Sequence, residues 1–279
     1  MLYLLKTELY KIFRKPRSYI GFIAITAIVL LIEMAMYVDG KMYMMFFLQQ
    51  IDANFQIEGN MLSGNMVCYL ILQTLIIQMP LLVALVTGDL VSGEAASGTI
   101  RFLLTRPFSR TQIVSTKFIA GSVYVITLVI WLGILAWGGG LLIFGDGDLI
   151  VLKSDQIIIL RAGDTIWRFL AAFGIALLSL CVVAAFSLML SCFTDNSIGP
   201  IVASIAVIIL FTIIGTMDLP LFEYIKPFLF TTHMIIWRNM FDNPLDLELI
   251  HNSLLILVFY IVLFLGIAIY HFNKKDITQ

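Results

Sequence analysis

Six long apolar runs, separated by shorter polar segments, divide the chain of 279 residues. A helix needs roughly 20 apolar residues to cross a bilayer, and each run is about that long. We therefore predict an all-α polytopic membrane protein, a single transmembrane domain over residues 1–279 with six transmembrane helices. The predicted spans are about 19–38, 67–87, 118–144, 169–189, 198–217 and 253–271.

The segment before the first run, residues 1–17, is amphipathic and basic. Leu2, Leu5, Leu9 and Ile12 recur at helical spacing, and Pro16 ends the pattern. This pattern predicts an interfacial helix, acting either as a topology signal or as a mechanical element. The other segments between spans are predicted as external (39–66, 145–168 and 218–252) or as a docking segment (91–111).

Composition and charge agree with a membrane location. Hydrophobic residues make up 61% of the chain, charged residues 13%, and the mean hydropathy is +1.01. Counting Lys and Arg by segment gives 11 on the side of the termini and 6 on the other side. Because Lys and Arg are enriched in cytoplasmic segments, we expect both termini in the cytoplasm and a multi-pass protein of the plasma or bacterial inner membrane.

The polar segment between the second and third spans carries a distinctive pattern. It starts with small and polar residues, continues with Ile100, Leu103 and Leu104 on one helical face with Arg101 off it, and meets Pro107, which stops a helix. Ser109-Arg-Thr-Gln then has the form of a capping box that starts the third span. The segment therefore predicts a compact knob at the membrane face that a soluble partner can hold.

These residues resemble the ABC-2 type permeases, the membrane subunits of ABC exporters with the type V fold. The shared pattern is a Glu before Gly-Thr, then Leu-Leu, Pro, Ser-Arg and Lys, and the chain supplies Glu94, Gly98, Thr99, Leu103, Leu104, Pro107, Ser109, Arg110 and Lys117. The resemblance implies that this segment, with Arg101, is a coupling helix for a separate ATPase. The chain departs from the family pattern at Ala95, Ala96 and Ser97, where a second charge is frequent.

The same resemblance implies the partners. Two permease subunits, the second a copy or a paralogue, assemble with two cytoplasmic ABC ATPase subunits that bind ATP and Mg, while this chain binds no cofactor. The transported substrate and its direction beyond the resemblance stay open. Two alternatives also stay open: an ion-coupled secondary transporter and a membrane-anchoring scaffold.

Catalytic and binding motifs are missing from the sequence. It has no Gly-rich phosphate-binding loop followed by Lys-Ser/Thr, so we expect no ATP hydrolysis by this chain. Its three histidines are far apart, its three cysteines are scattered, and no nucleophile has a nearby base, so we expect neither an enzyme nor a metal site. Basic residues are too few for nucleic acid binding.

A few polar or aromatic residues remain as candidates for a path or gate. Glu33 is charged and lies in the first span, toward its outer end, where we expect its side chain to reach the interface. Gln73 and Gln78 either line a path or bond neighbouring helices. Phe222 and Phe228, around Pro227, suit an outer gate if the resemblance holds, or else anchor the chain at the interface.

Overall fold

The computed structural model describes residues 2–49, 62–75, 77–100, 102, 107–152, 157–217 and 219–275. These residues form mostly helices and one short β-hairpin. The helices are α1 Leu2–Arg14, α2 Pro16–Gln49, α3 Gly64–Thr74, α4 Gln78–Thr87, α5 Ser92–Ala96, α6 Arg110–Gly133, α7 Gly140–Phe144, α8 Ala162–Phe193, α9 Ile198–Thr216, α10 Pro220–Glu223, α11 Phe230–Met234 and α12 Leu247–Lys274.

Among the described residues, five helices are long and apolar enough to cross a membrane, which makes the chain a multi-pass membrane protein. They are Pro16–Gly40, Arg110–Phe144, Ala162–Phe193, Ile198–Thr216 and Leu247–Lys274. The predicted second span is instead a bent pair, Gly64–Leu75 and Gln78–Thr87, whose axes differ by 55°. Pro80 lies in the first turn of α4, where its missing N–H costs little and a straight continuation from α3 is disfavoured.

Several helices run past the predicted spans. The first continues to Gln49, the third begins at Arg110, the fourth at Ala162 and the last at Leu247. Within the third, Ile134–Gly139 is a π-helical segment between α6 and α7. The sequence pattern underestimated these lengths because polar residues at a helix end interrupt an apolar run without ending the helix.

A β-hairpin adds to the predicted all-helical fold. Strands β1, Leu149–Leu152, and β2, Ile157–Leu160, pair antiparallel, with Leu149 opposite Leu160 and Leu152 opposite Ile157. Short runs rich in Ile and Val favour strands. Both runs lie in the segment 145–168 that was predicted as external, and their pairing was not predicted.

Helix α8 lies at the centre of the bundle and packs against α4, α6, α9 and α12. At one end of the bundle, which we call the ion-paired end, lie α1, the start of α6 and residues 88–99, 192–197 and 272–275. The opposite end carries the hairpin. There Arg168 donates hydrogen bonds from Nη1 to the carbonyl oxygens of Met240 (2.9 Å) and Asp242 (2.7 Å).

Candidate functional site

Helix α1 buries a stripe that contains a carboxylate. Leu4, Glu8 and Ile12 follow one another at a spacing of four residues, and all three are buried, with Glu8 only 2% exposed. Leu2, at the start of the same apolar pattern, is exposed. An ionised side chain on a buried face needs partners, because taking a charge out of water is costly.

Glu8 and its partners form a closed ring of four charges of alternating sign, which we call the ion-pair ring: Glu8, Lys11, Glu94 and Lys117. Lys11 Nζ lies 2.8 Å from Glu8 Oε1 and 2.8 Å from Glu94 Oε1. Lys117 Nζ lies 2.8 Å from Glu8 Oε2 and 2.9 Å from Glu94 Oε2. Each carboxylate thus contacts one ammonium group with each oxygen, and the ring carries no net charge. It joins α1, α5 and α6, which are far apart in sequence.

The ring shifts the pKa values of Glu94 and Lys11. Burial favours the protonated form of Glu94, but the Lys117 charge and the hydrogen bond from Lys11 outweigh it, so the pKa of Glu94 lies below its ordinary value. Burial also lowers the pKa of Lys11, yet its hydrogen bonds to Glu8 and Glu94 outweigh this and leave the pKa of Lys11 raised. The charged forms of Glu94 and Lys11 are therefore favoured near neutral pH.

A second ionic contact lies beside the ring. The carboxylate of Asp89, just after α4, forms salt bridges with Lys15 Nζ at 2.9 Å and Arg17 Nη1 at 3.1 Å. It also accepts a hydrogen bond from the Ser197 hydroxyl. Gly93 packs so closely that a Cβ there would overlap the Asp89 carboxylate. Asp89 thus fastens the α1–α2 junction to the end of α4 and to the turn between α8 and α9.

Hydroxyl groups hold the same region to the central helix. Ser191 Oγ of α8 accepts hydrogen bonds from the backbone N–H groups of Val91 (3.1 Å) and Ser92 (2.9 Å). One turn earlier, the Thr87 and Ser187 hydroxyls lie 2.5 Å apart. Val91 and Ser92 stand where the chain leaves α4 for α5, so Ser191 satisfies donors that the helix break would otherwise orphan.

Glu94, Gly98 and Thr99 form a compact turn. Gly98 has φ +69°, a left-handed conformation that glycine adopts without strain and that commonly ends a helix. The hydroxyls of Ser97 and Thr99 both donate to the Glu94 carbonyl oxygen at 3.3 Å. The Glu-to-Gly-Thr pattern therefore shapes the end of α5, while the Glu94 side chain enters the ring.

The predicted capping box at the start of the third span is confirmed. Ser109 Oγ accepts from the Gln112 N–H (3.2 Å), and Gln112 Oε1 accepts from the Ser109 N–H (3.1 Å). Pro107 lies in a bend shortly before this cap. Arg101, Leu103 and Leu104 of the predicted coupling helix lie outside the described residues.

Arg110 binds within its own chain. Its Nη1 donates to the carbonyl oxygens of Phe272 (3.0 Å), Asn273 (3.1 Å) and Lys275 (2.6 Å), at the C-terminal end of α12. A guanidinium there satisfies orphan carbonyls and the negative end of the helix dipole. Lys275 in turn lies 2.7 Å from Asp195. Hence the end of the last helix is tied to two neighbouring elements.

Surface groups of the ion-paired end surround these internal contacts. Ala96, Ser97, Gly98 and Thr99 are exposed, and so is Phe102, at 75%. A cavity of about 270 Å³ lies beside them, lined by both ionic clusters and by Ser97 and Thr99. By contrast, Glu94 and Lys117 are buried. Their side chains hold this surface in place but are not part of it.

The candidate path residues lie around the bend between α3 and α4. Gln73 Nε2 donates to the Tyr69 hydroxyl at 2.7 Å, whereas Gln78 Oε1 is buried with no hydrogen-bond partner among the described residues. Next to the bend, Leu75, Met79 and Trp237 line an apolar cavity of about 60 Å³. This volume is far below that of a typical ligand pocket.

The candidate gate residues differ in exposure. Phe222 is half-buried, and Phe228 is 75% exposed. Their neighbour Phe230 is buried and contacts Phe186 and Phe211, with ring centroids 5.5 and 5.7 Å apart. Within the described part of the chain, no three His, Cys, Asp or Glu side chains gather as a metal site would require.

Sequence reasoning missed Glu8, Asp89 and Ser191. A signal for Glu8 existed, because an acid between Leu4 and Ile12 lies on the buried face of an amphipathic helix. Asp89 and Ser191 gave no comparable signal. Their partners come from segments about 70 to 110 residues away, which only the folded chain brings together.

Comparison with known proteins gives a family. No curated protein matches the chain. The family model described as "Protein of unknown function (DUF2705)" matches residues 19–278, which is nearly the whole chain. The chain therefore belongs to the DUF2705 family.

Proposed function

We propose that the chain is the permease subunit of an ATP-binding-cassette exporter, which forms the translocation path and is driven by a separate cytoplasmic ATPase. The ion-pair ring is the observation that carries this proposal. It fastens α5, beside a small exposed surface, to an interfacial helix and to the start of a spanning helix. A transporter whose membrane helices are moved by a soluble subunit needs a rigid connection of this kind between the docking surface and those helices.

The proposed docking surface comprises residues 96–99 and Phe102. Exposed aromatic side chains are frequent energetic centres of protein interfaces, and Phe102 is exposed at the ion-paired end. Force applied there reaches α1 and α6 through the ring and α8 through Ser191. In the rest of the sequence motif, Glu94, Lys117 and Arg110 hold elements together, and Ser109 caps α6. Gly98 and Thr99 shape the turn that presents the docking surface.

The proposed topology has six spans, counting the bent α3–α4 pair as one. Both termini and the ion-paired end then face the cytoplasm, in agreement with the distribution of Lys and Arg. We further propose a second permease copy or paralogue, and an ATPase dimer that binds ATP and Mg. The break at Gln78 and the small apolar cavity beside it suit a path that is closed in this conformation.

Purification from native membranes tests the proposal. Under mild extraction, a soluble ATPase is expected to co-elute with the tagged wild-type chain, and Phe102→Glu is expected to reduce its yield strongly. Phe228→Glu is the matched control, because Phe228 is equally exposed, at 75%, but lies in the segment between α9 and α12, away from the ring. Co-elution should persist in that variant. If no ATPase co-elutes with the wild-type chain, the proposal fails and ion-gradient-driven transport becomes the hypothesis to test.

A further inference from the structure

From its position in the sequence, the Glu33 side chain was expected to reach the membrane interface. In the structure it points into the protein instead. The residue follows Tyr19, where the predicted first span begins, by 14 residues. That distance is roughly 21 Å of helix in a hydrocarbon core about 30 Å thick. Its side chain is turned into the protein and is only 4% exposed. The carboxyl group therefore lies inside the predicted span and is largely shielded from solvent by the protein.

The carboxyl group faces the π-helical segment Ile134–Gly139. A Cβ at Gly139 would lie 2.7 Å from Glu33 Oε1 and 3.3 Å from Oε2, so the glycine is what leaves room for the carboxyl. Within the described part of the chain, Oε1 has no hydrogen-bond partner. Single π-helical turns inside a spanning helix are frequent at functional sites.

No cation of the described residues compensates Glu33. The π-helical segment, α7 and α4 contain no titratable side chain. Helix α3 contributes the buried thiol of Cys68 and Tyr69, whose hydroxyl accepts a hydrogen bond from Gln73. In α6, Arg110 and Lys117 have their partners at the ion-paired end, in Phe272 and Glu8. The Tyr124 hydroxyl donates to the Ser18 carbonyl oxygen.

An ionised carboxylate here would lack a counter-charge among the described residues, and an uncompensated charge within a membrane span is costly. A proton removes that charge without needing space. A metal ion or an amine needs more room, and on the Gly139 side there is not enough for a methyl group. The surroundings thus favour a proton over any larger cation.

We propose that Glu33 is a proton-binding site, protonated while α2 packs on the π-helical segment and ionised when the two part and admit water. Opening at this place then releases a proton, so the closed arrangement is favoured as pH falls. This inference concerns only α2 and the helix formed by α6, the π-helical segment and α7, and it does not depend on an ATPase partner.

Infrared spectroscopy of the full chain in lipid nanodiscs at pH 7 tests the protonation. Wild type is expected to show the C=O stretching band of a protonated carboxyl, and Glu33→Gln, which keeps the size of the side chain, is expected to lack it. No such band in wild type would overturn the proposal, as would an equal band in both proteins. Gly139→Ala should shift or remove the band, because its methyl group displaces the carboxyl.

A second measurement tests the linked movement. Spin labels at positions 37 and 142, both at exposed side chains near this end of the two helices, report their separation. In a background without the three native cysteines, the ratio of parted to packed arrangements should rise with pH, by up to about tenfold per pH unit. Glu33→Gln should abolish this dependence. If the variant and wild type respond equally to pH, Glu33 is not the linked group.

Discussion

Lys117 and Glu8 form the most enclosed contact of the ion-pair ring, with side chains 1% and 2% exposed. Desolvating such a pair costs nearly as much as its attraction returns, so its presence says little about net stability. Removing one member is different, because the remaining charge stays buried without its partner. The ring is therefore best understood as a device that fixes the relative positions of three elements.

Lys117→Met should destabilise the chain by about 3–5 kcal/mol, because it leaves two carboxylates facing one ammonium group. Adding Glu8→Gln restores neutrality and should recover part of the loss. Denaturant unfolding in detergent micelles of wild type, both single variants and the double variant gives the coupling energy. We expect at least about 1 kcal/mol of non-additivity; additive effects would show that the two side chains are not coupled.

Acid should loosen the ring. Since the pKa of folded Glu94 lies below its ordinary value of 4.5, its stabilising contribution is present above pH 4.5 and is lost as pH falls through the folded pKa. The raised pKa of Lys11 acts in the opposite range: its contribution is present below 10.5 and is lost at still higher pH. Between these limits the contributions of Glu94 and Lys11 are expected to be insensitive to pH.

The thermal unfolding temperature in detergent, followed from about pH 6 to about pH 3, checks this expectation. Glu94→Gln should flatten the acid decline relative to wild type. Asp195→Asn, which alters an exposed ion pair with Lys275, should leave the decline unchanged. An acid decline in Glu94→Gln as steep as that of wild type would assign the effect to other carboxyl groups.

At the scale of elements, the junction between α4 and α5 depends on α8. Ser191→Ala removes the acceptor of two backbone N–H groups, which should cost about 1–3 kcal/mol. Ser204→Ala is a matched control, because Ser204 is also buried but its hydroxyl donates only to Pro200 of its own helix. Equal unfolding free energies for the two variants would contradict the role of Ser191.

The end of α12 depends on Arg110. Arg110→Gln should release the last turn of that helix, because three carbonyl oxygens lose a charged donor. Amide hydrogen exchange over residues 271–275 should therefore speed up. Arg14→Gln, at an exposed guanidinium beside Tyr10, should leave that exchange unchanged. Unaltered exchange in Arg110→Gln would mean that other contacts hold the end.

For the molecule as a whole, the hydrophobic pattern predicted the multi-pass helical architecture because bilayer thickness fixes helix length. It predicted the Ser109 capping box because that interaction is local. The bend between α3 and α4, the hairpin pairing and the partners of Glu8 and Asp89 depend on contacts between distant segments, which no local pattern encodes. Glu33 shows the same limit: its depth was readable from the sequence, but its burial against Gly139 was not.

We propose that the surface held by the ion-pair ring docks a soluble ATPase. The most direct measurement is photo-crosslinking in native membranes, with a photo-reactive phenylalanine analogue at position 102 and, as control, at position 228. Mass spectrometry should identify an ATPase with a phosphate-binding loop in the adduct from position 102 and none from position 228. An adduct at position 102 that contains no ATPase, or equal ATPase capture at both positions, would show that the ATPase does not dock at this surface.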